Sequence, residues 1–263
     1  MLSKSTLRAQ QQNTFCWAPA ACRLAILWAL SMTGRATCAT VLPLLLLLQV
    51  CGVTNAEDAQ FAAQQGANLI GMIMWPKAKR AVSDETAAAI AAAAKQHGAQ
   101  AVGVFVDEDA DTISSRCRAA NIPIAQLHGD ASRAVFNQVP ADLQVVYVLQ
   151  ADDEGQIVTP LPGAAGGMQL QRSIEWLLVD GMTGGSGKSF DWSNLQVPAG
   201  LASKGWLLAG GLNPSNVAQA VATAHPTAVD VSSGVCGPDG MAKDRSKVAA
   251  FIAGAKQAAL AAQ

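Results

Sequence analysis

Glu175-Trp-Leu-Leu-Val-Asp180 is an apolar run that ends on a carboxylate, and it leads through Gly-Met-Thr into Gly184-Gly-Ser-Gly-Lys-Ser-Phe-Asp-Trp192. This pattern is typical of a buried parallel strand that carries an acidic side chain towards a phosphate-binding loop. Two later segments repeat the pattern: Trp206-Leu-Leu-Ala-Gly-Gly211 and Ala228-Val-Asp-Val-Ser-Ser-Gly-Val235. Because glycine and serine let backbone N–H groups approach an anion closely, we expect three consecutive strands to end at a phosphate site.

Apolar runs of strand length recur along most of the chain and alternate with amphipathic or alanine-rich segments. One such segment follows Ser83, a predicted N-cap, and begins with the acids Asp84 and Glu85. Apolar strands that alternate with helices predict a parallel sheet covered by helices. The eight runs are residues 44–50, 69–74, 101–106, 122–127, 145–149, 176–179, 206–209 and 228–231.

The number of repeated units favours one architecture within the α/β class. Eight strand–helix units in residues 42–263 predict a single (β/α)8 TIM barrel. A doubly wound sheet is less favoured, because no glycine-rich crossover after the first strand marks a dinucleotide site. Residues 151–173 are rich in glycine, proline and acids, so we expect the fifth helical unit to be degenerate.

The N-terminal segment differs in composition from the rest of the chain. Residues 1–56 contain no Asp or Glu, but they include four basic residues, Lys4, Arg8, Arg23 and Arg35. This composition is typical of an organelle transit peptide, although a disordered leader or a misassigned start fits it too. We therefore expect residues 1–41 to be a leader and residues 42–263 to be the catalytic domain. The leucine run 44–48 is too short to span a bilayer.

Charge and composition exclude several classes of partner. The chain of 263 residues is 51% hydrophobic and 14% charged, as expected for a soluble globular protein with a sizeable core. A formal net charge of −1 gives no basic field for nucleic acid. The six cysteines and three histidines show no metal-ligand spacing, which predicts a reducing compartment and no metal site.

Polar side chains follow several strands at the end of the barrel where the strands' carboxyl ends meet, here called the mouth. Barrel enzymes carry their active sites there. Cys51 follows the first strand and Asp180 ends the sixth, on roughly opposite sides of the mouth. Such a pair could act as base and acid on two faces of a substrate. Gly187-Lys188-Ser189 is not a nucleotide P-loop, because position 182 is methionine where that motif requires glycine.

Seven segments at these strand ends have the order found in a known family. They are Cys51-Gly-Val-Thr54, Gly71-Met-Ile-Met-Trp-Pro-Lys-Ala-Lys-Arg80, Val102-Gly-Val-Phe-Val-Asp107, Gln126-Leu-His-Gly129, Gly184-Gly-Ser-Gly-Lys188, Leu208-Ala-Gly-Gly-Leu-Asn-Pro214 and Asp230-Val-Ser-Ser-Gly234. From about Leu48 onwards the chain closely resembles phosphoribosylanthranilate isomerase, the enzyme of tryptophan biosynthesis. Val235-Cys-Gly-Pro-Asp-Gly240 resembles the plant plastid form.

The resemblance implies an activity and two catalytic residues. The family carries out an Amadori rearrangement of N-(5-phosphoribosyl)anthranilate to 1-(2-carboxyphenylamino)-1-deoxyribulose 5-phosphate, without a cofactor or a metal. By resemblance, Asp180 is the general acid that opens the sugar ring, and Cys51 is the general base that removes the proton from C2. A cysteine needs only a modest electropositive environment to ionise near neutrality, whereas Asp180 needs a raised pKa to hold its proton.

The resemblance also assigns the substrate-binding residues. Arg80 receives the anthranilate carboxylate, for which a guanidinium fork is suited. Gln126 and His128 line the mouth, and Asp230 orients substrate hydroxyls or neighbouring backbone. The phosphate is expected at Gly184, Gly185, Gly187, Gly210, Gly211, Ser232, Ser233 and Gly234.

One position departs from the family, because most members have lysine where this chain has Gln49. Two other functions remain open: another phosphosugar barrel enzyme, and an inactive barrel that acts as a pathway scaffold. In the isomerase interpretation we expect a small phosphosugar substrate, no nucleic-acid or membrane partner, association with other tryptophan-pathway enzymes, and location in the plastid stroma.

Overall fold

The computed structural model describes residues 46–164, 167–182 and 189–261. Within these ranges eight parallel strands pair in chain order and the eighth pairs with the first, so the sheet closes into a barrel. The predicted TIM barrel is confirmed. The strands are β1 Leu47–Val50, β2 Leu69–Ile73, β3 Gln100–Phe105, β4 Ile124–Leu127, β5 Gln144–Ala151, β6 Ile174–Gly181, β7 Ala202–Leu208 and β8 Ala228–Val231.

Helices cover the outside of most of the barrel. Ser83 is the N-cap of the second helix, as predicted, and its Oγ accepts the Thr86 N–H at 3.2 Å. The helices are α1 Ala56–Gln65, α2 Asp84–Gln96, α3 Ala110–Ala119, α4 Asp130–Ala134, α5 Val217–Ala224 and α6 Arg245–Ala261. Short 3-10 turns occupy Phe136–Gln138, Trp192–Asn194 and Ser233–Val235.

All eight apolar runs form strands, but four strands extend beyond their runs, and β3 does so by one residue, at Gln100. β5 and β6 extend at both ends, and β7 begins at Ala202, four residues before its apolar run. The first residues of β7 are half-buried or exposed, and the β6–β7 register shifts between Ile174 and Trp176. The apolar pattern therefore gave no signal for this part of the strand. Leu44 lies outside the described residues, and β1 begins at Leu47.

The fifth unit lacks a helix, as predicted. Described residues 152–164 and 167–173 form turns and loop, and between β6 and β7 the described residues form only a 3-10 turn. Arg172, just before β6, binds the segment before β5. Its guanidinium donates hydrogen bonds to the carbonyls of Val139, Pro140 and Leu143. It also lies over the Phe136 ring, 5.4 Å from the ring centroid. The sequence did not predict that the described residues between β6 and β7 would form no α-helix.

Two hydrophobic layers position the mouth. One lies between the sheet and the helices and includes the helix faces. The other lies inside the barrel and consists of strand residues at alternate positions, including Ile124, Trp176, Leu178 and Ala228. Because strand side chains alternate between faces, the next inward positions towards the mouth fall on the polar residues.

In the part of the chain that the structure describes, no helix has both the length and the apolar character needed to cross a membrane.

Candidate active site

The two-residue period of the strands brings the candidate side chains into the mouth. In β1 the inward row runs through Leu47 and Gln49 to Cys51 just after the strand. In β6 the row runs to Asp180, and in β8 it runs to Asp230. All four polar residues of these rows are buried: Gln49, Cys51, Asp180 and Asp230. The apolar interior of the barrel thus ends in a layer of buried polar side chains at the carboxyl ends of the strands, and all of them except Gln49 are titratable.

Cys51 lies at the end of β1, and its side chain is buried. Its N–H donates to the Val231 carbonyl at 2.8 Å, which fixes it against β8. Burial, with a further contribution from the Asp230 carboxylate, raises the pKa of the thiol to about 12, whereas Lys243 and Arg80 act to lower it. The thiol therefore depends on these cations for ionisation.

Asp180 lies at the end of β6 beside an imidazole. Its Oδ1 accepts the Gly181 N–H at 2.9 Å, and its Oδ2 lies 3.7 Å from His128 Nε2. Burial raises the pKa of Asp180, and His128 opposes that rise. Burial lowers the pKa of His128, against the opposite effect of Asp180. This environment favours a proton on the carboxyl group and a neutral imidazole.

A chain of polar side chains crosses the floor of the mouth from β1 to β4. Gln49 Nε2 donates to Gln126 Oε1 at 3.0 Å, and Gln126 Nε2 lies 3.5 Å from His128 Nδ1. The His128 carbonyl accepts from Arg133 Nη1 at 2.7 Å. Gln126 and His128 therefore lie in the mouth as expected, linked to one another and, through His128, to Asp180.

Asp230 is the second buried carboxyl group of the mouth. Burial, together with the charge of Asp180, raises its pKa to about 7, against the hydrogen-bonding effect of Gln49 and the charges of Lys243 and Arg80. Among the described residues, neither Asp230 Oδ1 nor Gln49 Oε1 has a hydrogen-bond partner. Gln49 and Asp230 pair in register, and each carries an acceptor oxygen without a donor. A proton on the Asp230 carboxyl group would supply a donor between them.

Arg80 lies on the loop after β2, over the turn that follows Cys51. Gly52 has a φ of +68°, which favours glycine, and a Cβ there would overlap Arg80 Nη1, so any other residue would displace the guanidinium. Hydrogen bonds hold the loop after β2 to the segment after β3 on one side and to the segment after β8 on the other. Trp75 Nε1 and Lys77 Nζ donate to the Asp107 carboxylate at 2.8 and 2.7 Å, and Lys79 Nζ donates to the Asp239 carbonyl at 3.1 Å.

The predicted phosphate residues of β7 and β8 lie on adjoining loops. Gly210 and Gly211 have φ values of +84° and +66°. A Cβ at Gly210 would lie 3.2 Å from Asp180 Oδ1, so this loop passes directly beside the predicted acid. A Cβ at Gly234 would overlap the Leu212 carbonyl, which brings the two loops into contact. Ser232 and Ser233 begin the 3-10 turn, whereas Gly184, Gly185 and Gly187 lie outside the described residues.

Lys243 is a residue of the mouth that the sequence did not single out. It lies just before α6, it is 7% exposed, and its Nζ donates to the Cys51 carbonyl at 2.6 Å. Its only sequence signal was its position three residues after Val235–Gly240, the segment that resembles the plant plastid form. Among all the residues that the structure describes, the mouth included, His, Cys, Asp and Glu side chains form no group of three that could hold a metal ion.

Comparison with known proteins identifies the family that the chain resembles along most of its length. Residues 48–254 match the family described as N-(5'phosphoribosyl)anthranilate (PRA) isomerase. The chain is 42% identical over 206 residues to N-(5'-phosphoribosyl)anthranilate isomerase 1, chloroplastic, of Arabidopsis thaliana, covering 78% of this chain and 73% of the relative. It is 38% identical to the N-(5'-phosphoribosyl)anthranilate isomerase of Chlamydia caviae, covering 80% of this chain and 97% of the relative.

Solved structures give the same result for the barrel. The phosphoribosyl anthranilate isomerase of Thermotoga maritima is 30% identical, with a TM-score of 0.66, and the match covers 81% of this chain and 99% of that one. A phosphoribosyl anthranilate isomerase in complex with reduced 1-(o-carboxyphenylamino)-1-deoxyribulose 5-phosphate is 28% identical, with a TM-score of 0.59, and covers 81% and 99%.

Proposed function

The chain belongs to the N-(5'-phosphoribosyl)anthranilate isomerase family, and we propose that Cys51 is the general base and Asp180 the general acid of its reaction. The protein is an isomerase of tryptophan biosynthesis that rearranges N-(5-phosphoribosyl)anthranilate to 1-(2-carboxyphenylamino)-1-deoxyribulose 5-phosphate.

One observation supports the pair most directly: two buried titratable groups lie at the mouth on strands separated by β7 and β8. Asp180 donates its proton to the furanose ring oxygen as the bond from C1 to that oxygen breaks and the anthranilate nitrogen forms a Schiff base. The thiolate of Cys51 then removes the proton from C2, and the electron pair neutralises the iminium nitrogen. The resulting enolamine tautomerises to the ketone.

The raised pKa of Asp180 supports its role in the first step. A carboxyl group that keeps its proton closer to neutrality can act as an acid, and burial is the main cause of the rise. His128 is largely neutral because burial lowers its pKa. The imidazole lies 3.7 Å from Asp180 and opposes the rise in its pKa only to the extent that it is protonated.

The substrate is held at two ends in this proposal. Arg80 binds the anthranilate carboxylate, and the loops after β7 and β8 bind the phosphate through Gly210, Gly211, Ser233 and neighbouring N–H groups. The solved relative that holds the reduced deoxyribulose 5-phosphate supports a ligand of this class. Asp230 lies between the two ends, where it can contact a sugar hydroxyl.

The test replaces each member of the pair separately. Because a positioned acid or base contributes ~10²–10⁴ in rate, Cys51→Ser and Asp180→Asn should each lower kcat on that order. Calorimetric binding of the reduced product analogue and the melting temperature should change little. Cys117→Ser is the matched control, since Cys117 is also buried but lies on α3. Variant rates within about threefold of the parent would remove these residues from the chemistry.

We also propose a cellular location for the enzyme. We assign residues 1–41 to a transit peptide and the enzyme to the plastid stroma, where association with other tryptophan-pathway enzymes is expected. Two Arabidopsis thaliana relatives named chloroplastic, each 42% identical, support this location. Fusion of residues 1–45 to a fluorescent protein should direct it into isolated chloroplasts. Retention of the fusion outside the organelle would contradict the assignment.

A further inference from the structure

Lys243 has a hydrogen-bonding environment that matches the ammonium form of its side chain. The Nζ donates to the Cys51 carbonyl at 2.6 Å, to the Ser232 carbonyl at 3.0 Å and to Cys236 Sγ at 3.5 Å. An ammonium group has three donors and no acceptor, so these three acceptors satisfy it fully. The side chain is therefore held as a cation at the end of β1.

The charge of this ammonium is not balanced by its contacts. Its three partners are two carbonyl oxygens and a thiol, and among the described residues no Asp or Glu oxygen forms an ion pair with its Nζ within 4.0 Å. Burial lowers the pKa of Lys243, while the thiols of Cys236 and Cys51 act to raise it. A buried cation is costly unless an anion accompanies it, so an anion at this site would stabilise the fold as well.

The backbone around Lys243 fixes the position of the charge. Its N–H donates to Asp58 Oδ2 at 3.0 Å, and that carboxylate is itself held by the Asn55 amide at 3.1 Å. The Asp244 N–H donates to the Val235 carbonyl at 2.9 Å. The ammonium is thus pre-organised against the β1 end before any substrate binds.

We propose that Lys243 is a positioning residue that stabilises the Cys51 thiolate as its fixed counter-ion. The proposal rests on the role of Cys51 as general base. The charged groups that act on Cys51 are Asp230 from β8, Arg80 from the loop after β2, and Lys243. Because Arg80 is assigned to the anthranilate carboxylate, the negative charge of the bound substrate neutralises its positive charge. Lys243 is then the cation left to neutralise the negative charge of the Cys51 thiolate.

The experiment compares Lys243→Met with Lys247→Met. Lys247 is a matched control, because its Nζ also holds the same loop, through the Cys236 carbonyl at 2.9 Å, but it contacts neither Cys51 nor Ser232. Two quantities are measured: the pH dependence of kcat/KM, and the titration of Cys51 followed by carbon-13 NMR of its Cβ, assigned with Cys51→Ser. In Lys243→Met the limb of the kcat/KM profile that follows Cys51 should move to higher pH, and the fraction of Cys51 thiolate at a given alkaline pH should fall by about tenfold. In Lys247→Met both should stay where they are.

A reciprocal measurement avoids any change at Lys243. If the thiolate and the ammonium stabilise each other, Cys51→Ser should lower the pKa of Lys243, followed by NMR of its Cε. An unchanged Lys243 titration in Cys51→Ser, or an unchanged Cys51 titration in a folded Lys243→Met, would overturn the proposal and leave Lys243 a structural tie. Full activity of Cys51→Ser would instead refute the base assignment, while the two titrations would still decide the pairing.

Discussion

His128 Nε2 lies 3.7 Å from Asp180 Oδ2, so the predicted acid has an imidazole at contact distance. Burial lowers the pKa of the imidazole and raises that of the carboxyl group, and each residue opposes the shift of the other. The two groups therefore titrate as a pair, and the protonation state of one sets the availability of the proton on the other.

His128→Asn should move the limb of the kcat profile that follows Asp180 to higher pH. The imidazole acts to lower the pKa of Asp180, so its removal should leave the carboxyl group protonated to higher pH. The measurement is a pH–rate profile of the variant beside the parent. A limb that moves to lower pH, or that stays in place, would show that Asp180 does not control it.

Asp230→Asn should change how stability depends on pH. The pKa of Asp230 is raised from its ordinary value of 3.8 to about 7, so between these values the folded state binds more protons than the unfolded state. The contribution of Asp230 therefore makes the free energy of unfolding fall as pH rises through this window. Because asparagine does not ionise, the melting temperature of the variant relative to the parent should increase from pH 4 to pH 7. A constant difference would contradict the raised pKa.

Gln49→Lys should lower the pKa of Asp230. The two residues pair in register between β1 and β8, and an ammonium at position 49 would supply the charge that the amide lacks. Relative to the parent, stability should then fall less steeply from acid to neutral pH, as measured by thermal melting. Gln49→Met is the control, because it removes the amide hydrogen bonds without adding charge. Equal pH dependence in both variants would argue against the charge effect.

Gly211→Asp should weaken phosphate binding. Gly211 has a φ of +66°, so any side chain there is strained, and aspartate also places a negative charge at the predicted phosphate loop. Gly211→Ala carries the same backbone strain without the charge and is the control. The KM of Gly211→Asp should exceed that of Gly211→Ala by about tenfold or more, and its inhibition by inorganic phosphate should weaken. Equal KM values would locate the phosphate elsewhere.

A chain that begins at Ala39 should fold and react like the full chain. The first barrel element is β1, which begins at Leu47, so no strand of the sheet is removed. Melting temperature and kcat/KM are compared for the two forms. Loss of both would show that residues before Ala39 belong to the catalytic domain.

The sequence predicted most of the fold because buried parallel strands are continuous apolar runs. It also predicted where Cys51, Asp180 and Asp230 lie, since each continues the inward-facing row of its strand at the strand's carboxyl end. It did not predict the role of Lys243, because the contact with Cys51 joins residues 192 positions apart and depends on the loop before α6. It also missed the first half of β7, whose side chains are too polar to mark a strand.

The loop cover around β5 and β6 has a consequence for local motion. The described residues after β5 and β6 form loop and turn, so no described helix packs over these strands from those segments, and we expect their amide hydrogens to exchange with solvent sooner than those of β1 and β2. Asp180 lies at the end of β6, whereas Cys51 follows β1, which is flanked by α1 and α6. The proposed proton donor would then lie on the side of the barrel that exchanges faster, and the proposed base on the side that exchanges more slowly.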